Sequence, residues 1–109
     1  MKKETIIKQI KKTIRGKLPI NFKILLFGSW ARGDALETSD LDIGILGKKK
    51  VPWPAMVKIL EEVEKIPTLR KIDIVDLSAV EKRFKNNVLK HAKIIWKKFL
   101  IPLKNLSNG

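Results

Sequence analysis

Apolar residues recur at helical spacing from the start of the chain. Ile6, Ile7, Ile10, Ile14 and Leu18 share one face and lysines fill the other. Gly16 and Pro19 end that predicted helix. Phe22 to Phe27 is a nearly continuous apolar run of strand length, which predicts a buried strand. Gly28-Ser29 breaks the strand, and Trp30-Ala31-Arg32 predicts one or two helical turns. Gly33-Asp34 opens a loop through Thr38, and Leu41 to Leu46 predicts a second strand with Asp40 at its mouth. Pro52 and Pro54 bracket the start of a third helix, since proline suits a first turn. Its predicted buried face is Met56, Ile59, Leu60, Val63 and Ile66, and Pro67 closes it. Lys71 to Leu77 alternates and predicts a third strand. Ser78 and Glu81 have the spacing of a capping box. They predict a long last helix with Val80, Phe84, Val88, Ala92, Ile95 and Phe99 on one side, stopped by Pro102. The order is α-β-α-β-α-β-α: an α/β (α+β) chain with a small sheet of about three strands. We expect one domain over residues 1–104 and a disordered tail over 105–109.

Charge sharpens this picture. The net charge is +13, and it is unevenly placed. Residues 1–23 carry eight Lys/Arg and one acid, and residues 82–109 carry eight Lys/Arg and none. Residues 24–81 carry eight Lys/Arg against ten acids. The basic ends favour a polyanionic partner: a nucleotide, an RNA or an acidic protein. Cysteine is absent, which excludes disulfides and thiolate metal sites. No apolar run approaches the ~20 residues of a membrane span, so a cytoplasmic protein is expected.

The acids in the strands carry the chemistry. Asp40 and Asp42 are two apart on one predicted strand, so they share a face. Carboxylates side by side repel unless a cation lies between them, and oxygen ligands select Mg²⁺ or Mn²⁺. Asp73 and Asp76 on the third strand are three apart and face opposite sides. Asp73, flanked by Ile72 and Ile74, lies well inside the strand, where an unpartnered carboxylate is costly. It is therefore the expected third ligand, and Asp76 is expected near the surface. The strand–Gly28-Ser29–helix turn presents backbone N–H groups to an anion. Arg32 on that turn is placed to pair with phosphate or with an aspartate. The single histidine, His91, is expected as a partly buried helix residue.

Taken together, Gly28-Ser29-Trp30-Ala31-Arg32-Gly33 followed by Ser39-Asp40-Leu41-Asp42 resembles the signature of the minimal nucleotidyltransferases, relatives of DNA polymerase beta. The segment Ile72-Asp73-Ile74-Val75-Asp76-Leu77 resembles their third-carboxylate strand, and Phe84 through Trp96 their closing helix and hydrophobic end. Trp30 departs from the pattern, standing where a small or polar residue is more usual; it is expected either to wall the nucleotide pocket or to pack on the core. The resemblance implies a nucleotidyltransferase fold, a mixed sheet with helices packed on it. It implies a triphosphate held by Gly28 and Ser29, with Arg32 and Ser39 nearby. It implies two Mg²⁺ ions on Asp40, Asp42 and Asp73, with Asp73 assisting deprotonation of the acceptor hydroxyl. Short members of this family resemble the antitoxin of a two-gene module whose helical HEPN partner receives AMP from ATP on a tyrosine. The alternatives are an antitoxin that neutralises its partner by covering it, and nucleotidyl transfer to RNA or a small molecule.

Overall fold

A computed structural model describes residues 2–19, 21–33 and 40–98, with the side chain of Arg32 outside that description. The predicted tail, 105–109, also lies outside it. Eight elements follow in order. They are α1 (Lys3–Arg15), β1 (Phe22–Phe27), α2 (Ser29–Arg32), β2 (Leu41–Gly47), α3 (Trp53–Glu64), β3 (Ile72–Asp76), α4 (Lys82–Leu89) and β4 (Lys93–Lys98). The four strands form one sheet in the order β3-β2-β1-β4. β1 is antiparallel to β2 and β4, whereas β2 and β3 run parallel. A parallel pair needs a crossover connection, and α3 supplies it.

The core lies between one face of this sheet and the helices α1 and α3. Phe22, Ile24 and Leu26 of β1 and Leu41, Ile43 and Ile45 of β2 point into it, two apart as strand geometry requires. Ile6, Ile10 and Ile14 of α1 and Met56, Ile59 and Val63 of α3 meet them. Among the described residues nine side chains are fully buried, Ile24, Ile43 and Ile45 among them. At about 1.5–3 kcal/mol each, such burial is the main force holding the sheet to its helices. Leu60, expected in that core, is instead 41% exposed, because α3 turns only its Met56–Ile59–Val63 stripe inward.

The C-terminal part departs from the sequence expectation. The last helix stops at Leu89, and a fourth strand follows. Ile94-Ile95-Trp96 is β-branched and aromatic, which suits a strand. β1 also needs a partner on its second edge, or its buried backbone groups would be left unpaired. The capping box does not form either. The helix opens after Glu81, and the Ser78 hydroxyl donates to the Gly47 carbonyl at 2.9 Å while accepting from the Gly47 N–H at 2.8 Å. His91 lies in the turn between α4 and β4, exposed rather than partly buried in a helix.

Candidate functional site

The second face of the sheet, turned away from α1 and α3, carries the acids. Phe27 is the register partner of Asp42, and Asp42 is the register partner of Asp73. Directly paired residues point to the same side of a sheet. Asp42 and Asp73 therefore stand abreast on neighbouring strands. Asp40, two residues upstream of Asp42, is exposed at the mouth of β2. The Leu41 N–H donates to the Lys71 carbonyl at 2.8 Å and ties that mouth to β3. Among the described residues, no three acidic or imidazole side chains converge on one point as they stand. Carboxylate oxygens, such as those of Asp40, Asp42 and Asp73, are hard donors of the kind Mg²⁺ takes.

Gly28 follows β1 immediately and abuts Asp42. Its φ of 72° and ψ of −153° belong to a region that essentially only glycine occupies. A Cβ there would lie against the Asp42 carboxylate, 3.2 Å from its Cγ. The missing side chain is thus what lets the turn and the carboxylate share one space. Ser29 is the first residue of α2 and is half-buried; its carbonyl accepts from the Gly33 N–H, which closes the short helix. Gly33 sits in the left-handed region, at φ 82°. Arg32 belongs to α2, but its side chain is outside the described residues, as is Ser39 entirely.

Two contacts were not foreseen from the sequence, Lys71 with Asp73 and the cations over the Trp30 ring. Lys71 approaches Asp73, with its Nζ 3.7 Å from Oδ1, and the two side chains are 69% and 40% exposed. Their two-residue spacing on one strand was the available signal. Trp30 packs in the core at 3% exposure, with Lys3 and Arg70 over its ring at 4.9 and 4.8 Å. The indole bridges α1, the Gly28-Ser29 turn and the loop entering β3. Its Nε1 has no hydrogen-bond partner among the described residues.

Asp76 departs from the expected surface role in its detail. It faces away from Asp73, as alternation requires, but its carboxylate is structural. It accepts from the Val51 N–H at 2.8 Å and the Ser78 N–H at 3.0 Å, tying the start of α3 to the end of β3.

Residues 8–99 match the family described as Polymerase beta, Nucleotidyltransferase. A Methanocaldococcus jannaschii protein named "putative protein adenylyltransferase" is 47% identical over 51 residues. That match covers 43% of this chain and about half, 48%, of the relative's length. Among solved structures, a toxin–antitoxin complex with AMP-PNP superposes at a TM-score of 0.67 and 24% identity, covering 89% of this chain and 75% of that one. A chain of the Shewanella oneidensis complex of a tri-AMPylated HEPN toxin with its MNT antitoxin superposes at 0.65 and 20% identity, covering 96% and 77%. These two likenesses show the fold.

Proposed function

Because the chain belongs to the polymerase-beta nucleotidyltransferase family, we propose that it is a Mg²⁺-dependent enzyme that transfers AMP from ATP to a tyrosine hydroxyl of a HEPN-class partner, and so acts as that partner's antitoxin. The observation that carries this reading is the register setting Asp42 beside Asp73, with Gly28 held against the Asp42 carboxylate. The adenylyltransferase name of the archaeal relative and the AMPylated HEPN toxin beside an MNT antitoxin support a protein acceptor. A cytoplasmic setting goes with this reading. Among the described residues no helix is long and apolar enough to cross a membrane.

Asp40 and Asp42 would hold the ion that bridges the triphosphate, and Asp42 and Asp73 the ion nearer the acceptor; Mn²⁺ fits the same donors. When bound, the two ions supply charge neutralisation at the phosphates and acidify the acceptor hydroxyl. The chain's own groups do the rest. Gly28, lacking a Cβ, admits the phosphates close to the backbone, and Ser29 donates to them. Arg32 and Ser39 complete this set. Asp73 takes the proton of the attacking hydroxyl. The new bond forms from the hydroxyl oxygen to the α-phosphorus as the bond to the bridging α–β oxygen breaks. Pyrophosphate leaves with that electron pair.

The test is incubation of the chain with Mg²⁺, α-labelled ATP and the short helical protein encoded by the adjacent gene. Label is expected on a tyrosine of that protein, and none with Asp42→Asn. Labelling by γ-labelled ATP, or unchanged labelling by the Asp42 variant, contradicts the reading.

A further inference from the structure

The face that carries Asp42 and Asp73 changes sign along its length. Phe27 is the partner of Asp42, and four residues back along β1 stands Lys23, on the same face. Four residues of strand separate them by about 14 Å at ~3.4 Å per residue. Lys23 is opposite Leu46 on β2 and opposite Lys97 on β4. Lys23 and Lys97 therefore set two positive charges directly across a pair of strands on this face. A cavity of about 540 Å³ opens there, lined by Asn21, Lys23, Leu46, Gly47, Lys48 and Lys85. Lys85 comes from α4, the connection between the two edge strands. A neighbouring cavity of about 300 Å³ shares Asn21 and Lys48 and adds Lys49 and Lys50. Among the described residues, no acidic side chain lines either cavity.

We propose that this lysine end of the sheet face docks an acidic segment of a protein partner. The docking stands on the charge and shape of the cavity. That the same partner then presents its hydroxyl to the carboxylates, about 14 Å away, rests on the transfer reading above. Three properties favour carboxylates over an RNA backbone. Among the described residues that line the cavities every cation is lysine, a point charge, rather than arginine, whose planar fork suits phosphate. Among the described residues the larger cavity has no aromatic side chain on which a base could stack. Its floor includes Leu46, which suits a peptide with an apolar residue among its acids.

The test is fluorescence anisotropy with a labelled ten-residue polyglutamate peptide, against the wild-type chain and two triple variants of equal net charge. One is Lys48→Glu/Lys85→Glu/Lys97→Glu, two residues of the cavity lining and the β4 position opposite Lys23. The other is Lys8→Glu/Lys12→Glu/Lys58→Glu on exposed positions of α1 and α3. The cavity triple is expected to weaken peptide binding by about tenfold or more, and the control triple by less than about threefold, since docking is local rather than a bulk-charge effect. Equal losses in the two triples overturn the proposal. So does a labelled oligouridylate that depends on the cavity lysines while the peptide does not. Circular dichroism of each variant separates lost docking from lost fold; should the cavity triple unfold, the single Lys85→Glu is measured against Lys12→Glu with the same criterion. Binding of ATP with Mg²⁺, measured separately, is expected to be unchanged in both triples. Its absence from the wild type would count against the transfer reading and leave the docking result standing.

Discussion

Gly28→Ala tests how tightly the phosphate turn and the carboxylates are built together. Two penalties act at once. The backbone at φ 72°, ψ −153° is a region that costs a non-glycine residue about 1–3 kcal/mol. The added methyl also meets the Asp42 carboxylate, so Asp42 must rotate away or the turn must shift. At about 4–8 °C per kcal/mol for a domain of this size, Tm falls by roughly 5–20 °C. The functional loss comes from the second penalty. A charge-assisted contact is worth about 1.5–3 kcal/mol, so displacing Asp42 weakens binding of ATP with Mg²⁺ by roughly 10- to 100-fold. Gly33→Ala is the control. Gly33 has φ 82°, and no atom of the described residues lies within 4 Å of an added Cβ. It is expected to lose about 1–2 kcal/mol of stability from left-handed strain and to keep its nucleotide affinity. Calorimetry with ATP and Mg²⁺, below the melting range of each variant, separates the two. A Gly28→Ala protein that binds nucleotide as well as Gly33→Ala would refute the argument.

Three further outcomes follow from the same geometry. Asp73→Asn is expected to abolish transfer with little change in Tm. Asp76→Asn is expected to keep transfer and lose about 1–3 kcal/mol, because an amide cannot accept from both the Val51 and Ser78 N–H groups in the same way; thermal unfolding beside a transfer assay checks the pair, and the opposite pattern would put the strand register in error. Trp30→Phe keeps a ring between Lys3 and Arg70 and removes a buried unsatisfied donor, so its stability should match the wild type or exceed it by up to about 1 kcal/mol. Trp30→Leu should lose about 1–3 kcal/mol through lost packing and lost cation contacts, and equal denaturant midpoints for the two variants would dismiss a role for the ring.

The parts of the fold that the sequence made legible are those whose periodicity is unambiguous. Ile6, Ile10 and Ile14 mark one helical stripe, and the strands around Phe22–Phe27, Leu41–Gly47 and Ile72–Asp76 follow from short apolar runs broken by glycine or charge. The alternation argument that puts Asp73 and Asp76 on opposite sides needed only the strand period, and the parallel register sets Asp73 beside Asp42. The C-terminus was not legible in the same way. Val80, Phe84, Val88, Ala92 and Ile95 fit a helical period, yet the chain from Lys93 to Lys98 pairs with β1. That choice is decided by the unpaired edge of β1, a tertiary demand that no local window contains. The Ser78 hydroxyl was similarly diverted from a local cap to Gly47, 31 residues away in sequence. Trp30 was singled out as a departure from the family pattern, but its placement between Lys3 and Arg70 depends on two distant segments.

The proposed site joins Asp40, Asp42 and Asp73 to the Gly28 turn as a metal-dependent nucleotide pocket. Its decisive test is isothermal calorimetry of ATP binding to the wild-type chain, with Mg²⁺ and then with excess EDTA, and with Asp42→Asn as the companion variant. Saturable binding with Mg²⁺ that largely disappears in EDTA and in Asp42→Asn is expected. Equal affinity in the presence and absence of the metal, or an Asp42→Asn protein that binds as the wild type does, would contradict it.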